Sequence, residues 1–139
     1  MEASSIRLKA DKKNLPKVMI FTGRNLDRAR CFGKVRMQIE LAVEEIFVNI
    51  ASYAYAPGEG EVDLCMKISG DPAVAVITFT DQGIPFDPLQ EEDPDVTLPA
   101  AQRRIGGLGI FTVKKFMDDV RYERRGDSNV LTIRKTLEG

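Results

Sequence analysis

The ten residues Glu40-Leu-Ala-Val-Glu-Glu-Ile-Phe-Val-Asn49 constrain this chain more than any other stretch. Ile39, Val43, Ile46, Phe47, Ile50 and Ala54 recur at helical spacing, so residues 34–55 read as one helix, buried rather than half-solvated. Glu45 and Asn49 interrupt the apolar cover. Four apart on a helix, they stack on one face. A carboxylate in apolar surroundings costs free energy unless something pairs with it. The pair is therefore the first candidate for chemistry, although Glu and Asn at this spacing are common on ordinary helices.

The rest of the chain supplies a frame. Residues 5–9 alternate weakly and suit an edge strand. Asn14 is placed to cap a helix over 15–29, with Pro16 tolerated in its first turn. Gly33 separates that helix from the one at 34–55. Val62, Leu64, Met66 and Ile68 alternate with polar residues, which predicts a half-exposed strand. Residues 74–80 are apolar on both faces and predict a central strand. Four prolines and the acidic group Glu91, Glu92, Asp93 and Asp95 make 85–99 aperiodic, which suits a lid or binding loop over about 87–104. A helix at 108–117 follows, then strands at 120–125 and 130–136 joined by Gly126-Asp-Ser-Asn129. Neighbouring strands come as hairpins. The order predicts a single α+β domain with helices on one face of a mixed, mostly antiparallel sheet.

Composition narrows the function. A net charge of −1 gives no basic excess for nucleic acid or an anionic membrane. No apolar run reaches the ~18 residues of a membrane span. Met1-Glu-Ala-Ser-Ser has no positive segment leading into an apolar one, so no signal peptide is expected and the cytoplasm is the default location. Two cysteines and no histidine argue against a disulfide framework or a structural zinc site. Without His, acid–base work falls to carboxylates or lysines. Phe21, Phe32, Phe47, Phe111 and Phe116 read as core, and Cys31 and Cys65 as reduced thiols.

Two further signals accompany the Glu–Asn pair: Asp81-x-Gly83-x-Pro85 at a strand end and Gly107-x-Gly109 at a helix start. Taken singly, each also fits an ordinary turn or close packing. Walker A and the dinucleotide fingerprint are absent. Together the three describe a nucleotide site. The glycines free backbone N–H groups at a helix N-terminus, where the dipole favours phosphate. Asn49 offers a neutral oxygen, which suits Mg²⁺ held by few protein ligands plus phosphates and water. Asp81 can accept a hydrogen bond from an exocyclic amine, and Gly83 lets a flat ring approach. Glu45, one turn before Asn49, is placed to orient a water or hydroxyl at the far phosphate.

In this order, Glu45-Ile-Phe-Val-Asn49, Asp81-Gln-Gly-Ile-Pro-Phe-Asp-Pro88 and Gly106-Gly-Leu-Gly-Ile110 closely resemble the N, G1 and G2 boxes of the Bergerat-type ATPase fold. The short length, the Gly-x-Pro-Phe-Asp-Pro run and Gly-Gly-Leu-Gly-Ile look most like the bacterial anti-sigma serine kinases. The resemblance covers residues 6–137. It implies a two-layer α+β sandwich that binds Mg·ATP under a lid and phosphorylates a serine on a small anti-anti-sigma partner. It also implies that a sigma factor can be held, and it allows a homodimer. On the resemblance, Asn49 holds Mg²⁺, Glu45 is the base, Asp81 takes the adenine amine with Gly83 beside the ring, Gly107 and Gly109 bind phosphate, and Thr132 reaches adenine through a water. Two positions depart from the pattern. Tyr53 stands where family kinases often carry His, and Ile105 stands where an Arg is common, with Arg103 and Arg104 just before it. The alternative is an ATP-gated module that holds a regulator without phosphorylating it.

Overall fold

In the computed structural model, which describes residues 2–90 and 107–137, period-two alternation builds one antiparallel sheet. The strands are β1 (Glu2–Lys9), β2 (Glu61–Ser69), β3 (Val74–Asp81), β4 (Asp119–Arg125) and β5 (Ser128–Thr136), in the spatial order β1-β2-β3-β5-β4. Every described pairing is antiparallel, so the expected mixed sheet contains no parallel pair among these residues. β3 is central, as predicted, but only one of its faces is buried. Ala75, Ile77, Phe79 and Asp81 point into the protein, while Thr78 and Thr80 are half-exposed on the other side.

Three helices cover the apolar face: α1 (Leu15–Arg28), α2 (Lys34–Tyr53) and α3 (Gly107–Phe116). Val18 and Leu26 of α1, Ile39, Val43 and Phe47 of α2, Ile110 and Val113 of α3, and Met117 just after it share one core with Leu64, Met66, Phe79 and Ile133. The opposite sheet face stays wet and polar, as an antiparallel sheet in a two-layer fold permits. The Arg7–Asp63 ion pair at 2.8 Å lies there, with Cys65 and Thr132.

Local chemistry explains the boundaries. Gly33 takes φ +77° at the start of α2, a conformation side chains disfavour. Gly126, at φ +54°, makes the two-residue β4–β5 turn with Asp127. Asn14 stands at the N-cap of α1 with Pro16 just inside, but its side chain caps nothing. Its Nδ2 donates to Lys9 O at 3.0 Å and ties the helix to β1, while Asp11 caps the 3₁₀ turn at Lys12–Asn14.

Two expectations are corrected. Phe32 is not core: it is 64% exposed, with the Arg36 guanidinium 5.7 Å from its ring centre. Phe47 is fully buried, Phe21 and Phe116 pack against the core half-buried, and the half-buried Phe111 lies under the Lys115 ammonium. α2 is not buried all round either, because Met37, Leu41 and Tyr53 reach solvent. Of the expected lid over about 87–104, residues 91–104, with Arg103 and Arg104, lie outside the described residues; Pro88–Gln90 forms a 3₁₀ turn.

Candidate functional site

A cavity of about 300 Å³ opens between α2, α3 and the ends of β3 and β5. Glu45, Asn49, Asp81 and Gly109 all line it, so the fold brings together residues up to 64 positions apart. α2 supplies Glu45 and Asn49 from the margin of a helix whose buried residues are Ile39, Ala42, Val43, Ile46 and Phe47, and Ile46 lines the cavity beside them. The two are one turn apart, a rise of about 6 Å.

Glu45 is half-buried against α3. Gly109 comes so close that a side chain there would enter the space of the Glu45 carboxylate. Burial first, then the charge of Glu44, pushes the Glu45 carboxyl above the ordinary glutamate value of 4.5. No cation among the described residues contributes to that shift. A half-buried carboxylate with a raised proton affinity, facing a cavity, is equipped to take up a proton.

The other end of the cavity is fixed by a network around Asp81. Asp81 is 4% exposed, and its Oδ1 accepts from Gly83 N at 2.8 Å and from Asn129 Nδ2 at 3.0 Å. Both bonds go to one oxygen, which leaves Oδ2 able to accept from a donor in the cavity. Asn129 also donates to Ile84 O at 2.8 Å and accepts from the Tyr122 hydroxyl at 2.5 Å. Arg124 Nη1 reaches Gly83 O at 2.9 Å and clamps the same loop from β4.

Tyr55 locks this loop to α2. Its hydroxyl donates to Glu61 O at 2.6 Å and accepts from Gln82 N at 2.7 Å. Ile84 N donates to Ala54 O at 2.9 Å. Gly83 is a glycine for a reason beyond any ligand, since a Cβ there would run into the backbone of Ala54. It adjoins the cavity through Asp81 and is not among its lining residues. Gly107 opens α3, and Gly109 lies in its first turn.

Thr132 is corrected. It pairs with Thr78 and Arg121, and alternation puts it on the polar sheet face, opposite Leu131 and Ile133. Asn129, on the cavity side and paired in register with Asp81, occupies the place beside the carboxylate. It was legible from the same alternation, because 129, 131 and 133 share one face. Tyr122 and Lys12 also line the cavity and carry no sequence signal of their own. Lys12 is the one cation lining it among the described residues. Tyr53 lines it too, at the His-like position, and is 43% exposed.

These residues fit a metal-bound nucleotide. Asn49 offers an oxygen and no charge, Asp81 has an unused acceptor, and Gly109 keeps α3 close to Glu45. No group of three or more acidic or cysteine side chains placed to hold a metal occurs among the described residues, so ligands from phosphate and water would complete the shell. No helix of the described residues is long and apolar enough to cross a membrane.

Comparison with known proteins agrees with this geometry. The profile of the histidine kinase-like ATPase domain matches residues 8–135. The chain is 26% identical over 106 residues to the serine/threonine-protein kinase BtrW of Bordetella bronchiseptica, covering 76% of this chain and 74% of that protein. It is 36% identical over 100 residues to the serine-protein kinase RsbW of Listeria monocytogenes, covering 68% of this chain and 62% of that protein. Among solved structures, the histidine kinase domain of the Erythrobacter litoralis EL346 blue-light activated histidine kinase superposes with a TM-score of 0.52 at 21% identity. That match covers 74% of this chain and 45% of the other, and it is a likeness of fold.

Proposed function

The chain belongs to the histidine kinase-like ATPase family, and from that premise we propose that it is an ATP-dependent protein-serine kinase of the anti-sigma type, acting in the cytoplasm on a small serine-bearing anti-anti-sigma partner. The observation that carries the reading is the Glu45 carboxylate, raised in proton affinity, half-buried on the cavity wall one turn from Asn49. A module that only held nucleotide would have no use for a base there.

Bound Mg·ATP supplies the transferable phosphoryl group and the charge that balances it. Asn49 would hold the metal through its amide oxygen. Asp81 Oδ2 accepts the adenine amine while Asn129 and Gly83 N hold Oδ1. The first turn of α3, with Gly107 and Gly109, presents backbone N–H groups to phosphate. Glu45 would take the proton of the partner's seryl hydroxyl as that oxygen bonds to the γ-phosphorus, the bond from this phosphorus to the β–γ bridging oxygen breaks, and ADP leaves. The names of the relatives, serine/threonine-protein kinase and serine-protein kinase, support the reaction class.

The test is phosphoserine formation on a cognate serine-bearing partner with Mg·ATP. Wild type should transfer phosphate, and Glu45→Gln should bind ATP normally and transfer none. ATP-dependent partner binding without turnover in wild type would favour the ATP-gated module instead. Absence of Mg·ATP binding in a calorimetric titration would sink both readings.

A further inference from the structure

Lys12 lines the nucleotide cavity from outside the elements that carry Glu45, Asn49, Asp81 and Gly109. It opens the 3₁₀ turn Lys12–Asn14 on the connection from β1 to α1. Hydrogen bonds pin that connection: Ala10 N donates to Gly60 O at 2.9 Å, Asn14 Nδ2 donates to Lys9 O at 3.0 Å, and Asp11 accepts from Lys13 N at 3.0 Å. Sheet register explains why Lys12 reaches the cavity. Leu8, Val62, Asp81 and Asn129 pair in one row across β1, β2, β3 and β5. β1 therefore runs out at the sheet end where β3 delivers Asp81, and Lys12 follows just after its last residue, Lys9. The lysines on either side have carboxylates: Lys9 Nζ lies 4.0 Å from Glu59, and Lys13 Nζ lies 3.7 Å from Asp11. Among the described residues Lys12 has none, and Asp81 is held by Gly83 N and Asn129 instead. An exposed, flexible cation therefore stands at the cavity with no protein carboxylate paired to it.

On the premise that the cavity binds Mg·ATP, we propose that Lys12 is a further nucleotide-binding residue, whose ammonium pairs with the α-phosphate. α2 gives the cavity its direction. Its C-terminal end is bonded to the loop after Asp81, through Ile84 N to Ala54 O at 2.9 Å. Glu45, against Gly109, lies about 13 Å back along the same helix. With the base on Asp81 and the transferred phosphoryl group at Glu45, the phosphate nearest the Asp81 end is the α-phosphate. Lys12 enters from that end. The metal on Asn49 and the first turn of α3 serve the β- and γ-phosphates, which leaves the α-phosphate charge unmatched. A compact ammonium on a four-carbon stem meets such a charge without the fixed geometry that a metal or a bidentate pair requires. Lys12 thus adds affinity that needs no metal, and it ties the β1–α1 connection to the bound nucleotide.

The test is calorimetric titration of the full chain with adenosine and AMP in chelator, and with Mg·ADP. Wild type should bind AMP about three- to tenfold more tightly than adenosine at low salt, the size expected for one exposed charge pair. About 0.5 M salt should remove most of that gain. Lys12→Met should bring AMP down to the level of adenosine, leave adenosine itself unchanged, and keep the metal-dependent gain from AMP to Mg·ADP. Lys12→Arg should restore part of the AMP gain, and Lys13→Met, whose ammonium faces Asp11, should match wild type. Thermal unfolding checks that each variant folds. Equal affinities for AMP and adenosine in wild type, or a ratio that Lys12→Met leaves unchanged, would overturn the proposal while the kinase reading stands. Equal losses for adenosine and AMP would overturn it too, because Lys12 would then only support the base end of the cavity. Failure of wild type to bind Mg·ADP and Mg·ATP would remove the nucleotide site itself, and this role with it.

Discussion

The Glu45 carboxylate occupies the space that a side chain on Gly109 would need. This contact ties the first turn of α3 to the proposed base and gives Gly109 a role in addition to the proposed phosphate binding. Gly109→Ala would push against Oε2, the free end of a flexible side chain, so the carboxylate should move and the fold should not. We expect less than about 1 kcal/mol of lost stability but a fall of about 100-fold in phosphotransfer, the usual cost of misplacing a reacting group by about 1 Å. Calorimetric Mg·ATP affinity near wild type, beside the lost rate of phosphoserine formation, would separate positioning from binding. A wild-type rate would sink the assignment.

Glu45 also makes a pH prediction. Its folded-state proton affinity is raised, by burial first and by Glu44 second. In the window just above the ordinary value of 4.5 the folded state binds more protons than the unfolded chain, so this group's contribution to stability falls as pH rises through that window. Above that window the burial cost of the carboxylate is fully present. Glu45→Gln should therefore unfold at a higher temperature than wild type at pH 7, with the gap closing as pH falls back through that window. Phosphotransfer in wild type should decline on the acid side from a pH above the ordinary glutamate range. A Glu45→Gln protein less stable than wild type at pH 7 would contradict the burial argument.

The fold and half of the site were legible because they rest on periodicity and spacing. Glu45 over Asn49 follows from the helix repeat, and alternation in β2 marks the apolar face of the sheet, whereas β3, read as apolar on both faces, buries only one. Pairing is harder to read from one chain. That β3 lies against β5 with Asp81 opposite Asn129 depends on the register of two strands 48 positions apart at their nearest paired ends. The Thr132 assignment failed on side-chain parity, a one-position error in a strand that moves a residue to the other face. Phe32 failed for another reason: an aromatic beside a helix start can rest on an Arg as readily as in a core.

Asn129 and Tyr122 should act on nucleotide recognition through Asp81. Asn129→Ala removes one of two donors to Oδ1 and strips Ile84 O of its partner. A lost hydrogen bond to a charged group is worth about 1.5–3 kcal/mol, so ATP affinity should fall roughly 10- to 100-fold. Tyr122→Phe, which removes a single donor to Asn129 Oδ1, should cost less than tenfold. Asp81→Asn, able to place a donor where an acceptor stood, should erase the preference for ATP over ITP. Calorimetric titration with both nucleotides checks all three. Equal losses for ATP and ITP in Asn129→Ala would mean that the network only supports the loop.

Gly83 and Gly109 should respond in opposite ways to the same change. A Cβ on Gly83 would meet the Ala54 carbonyl carbon at 2.6 Å and its Cβ at 2.7 Å, at the point where Ile84 N donates to Ala54 O. No flexible side-chain end is there to yield, so the loop must lift away from α2. That movement strains the Gly83 N bond to Asp81 and the Arg124 bond to Gly83 O together. Gly83→Ala should therefore destabilise by about 1–3 kcal/mol, as overpacking does, and weaken ATP binding, whereas Gly109→Ala leaves both nearly intact. Chemical denaturation of the two variants side by side, with unchanged m-values, gives the comparison. Equal stability of the two proteins would show that the loop after β3 adapts more easily than its contacts with Ala54 imply.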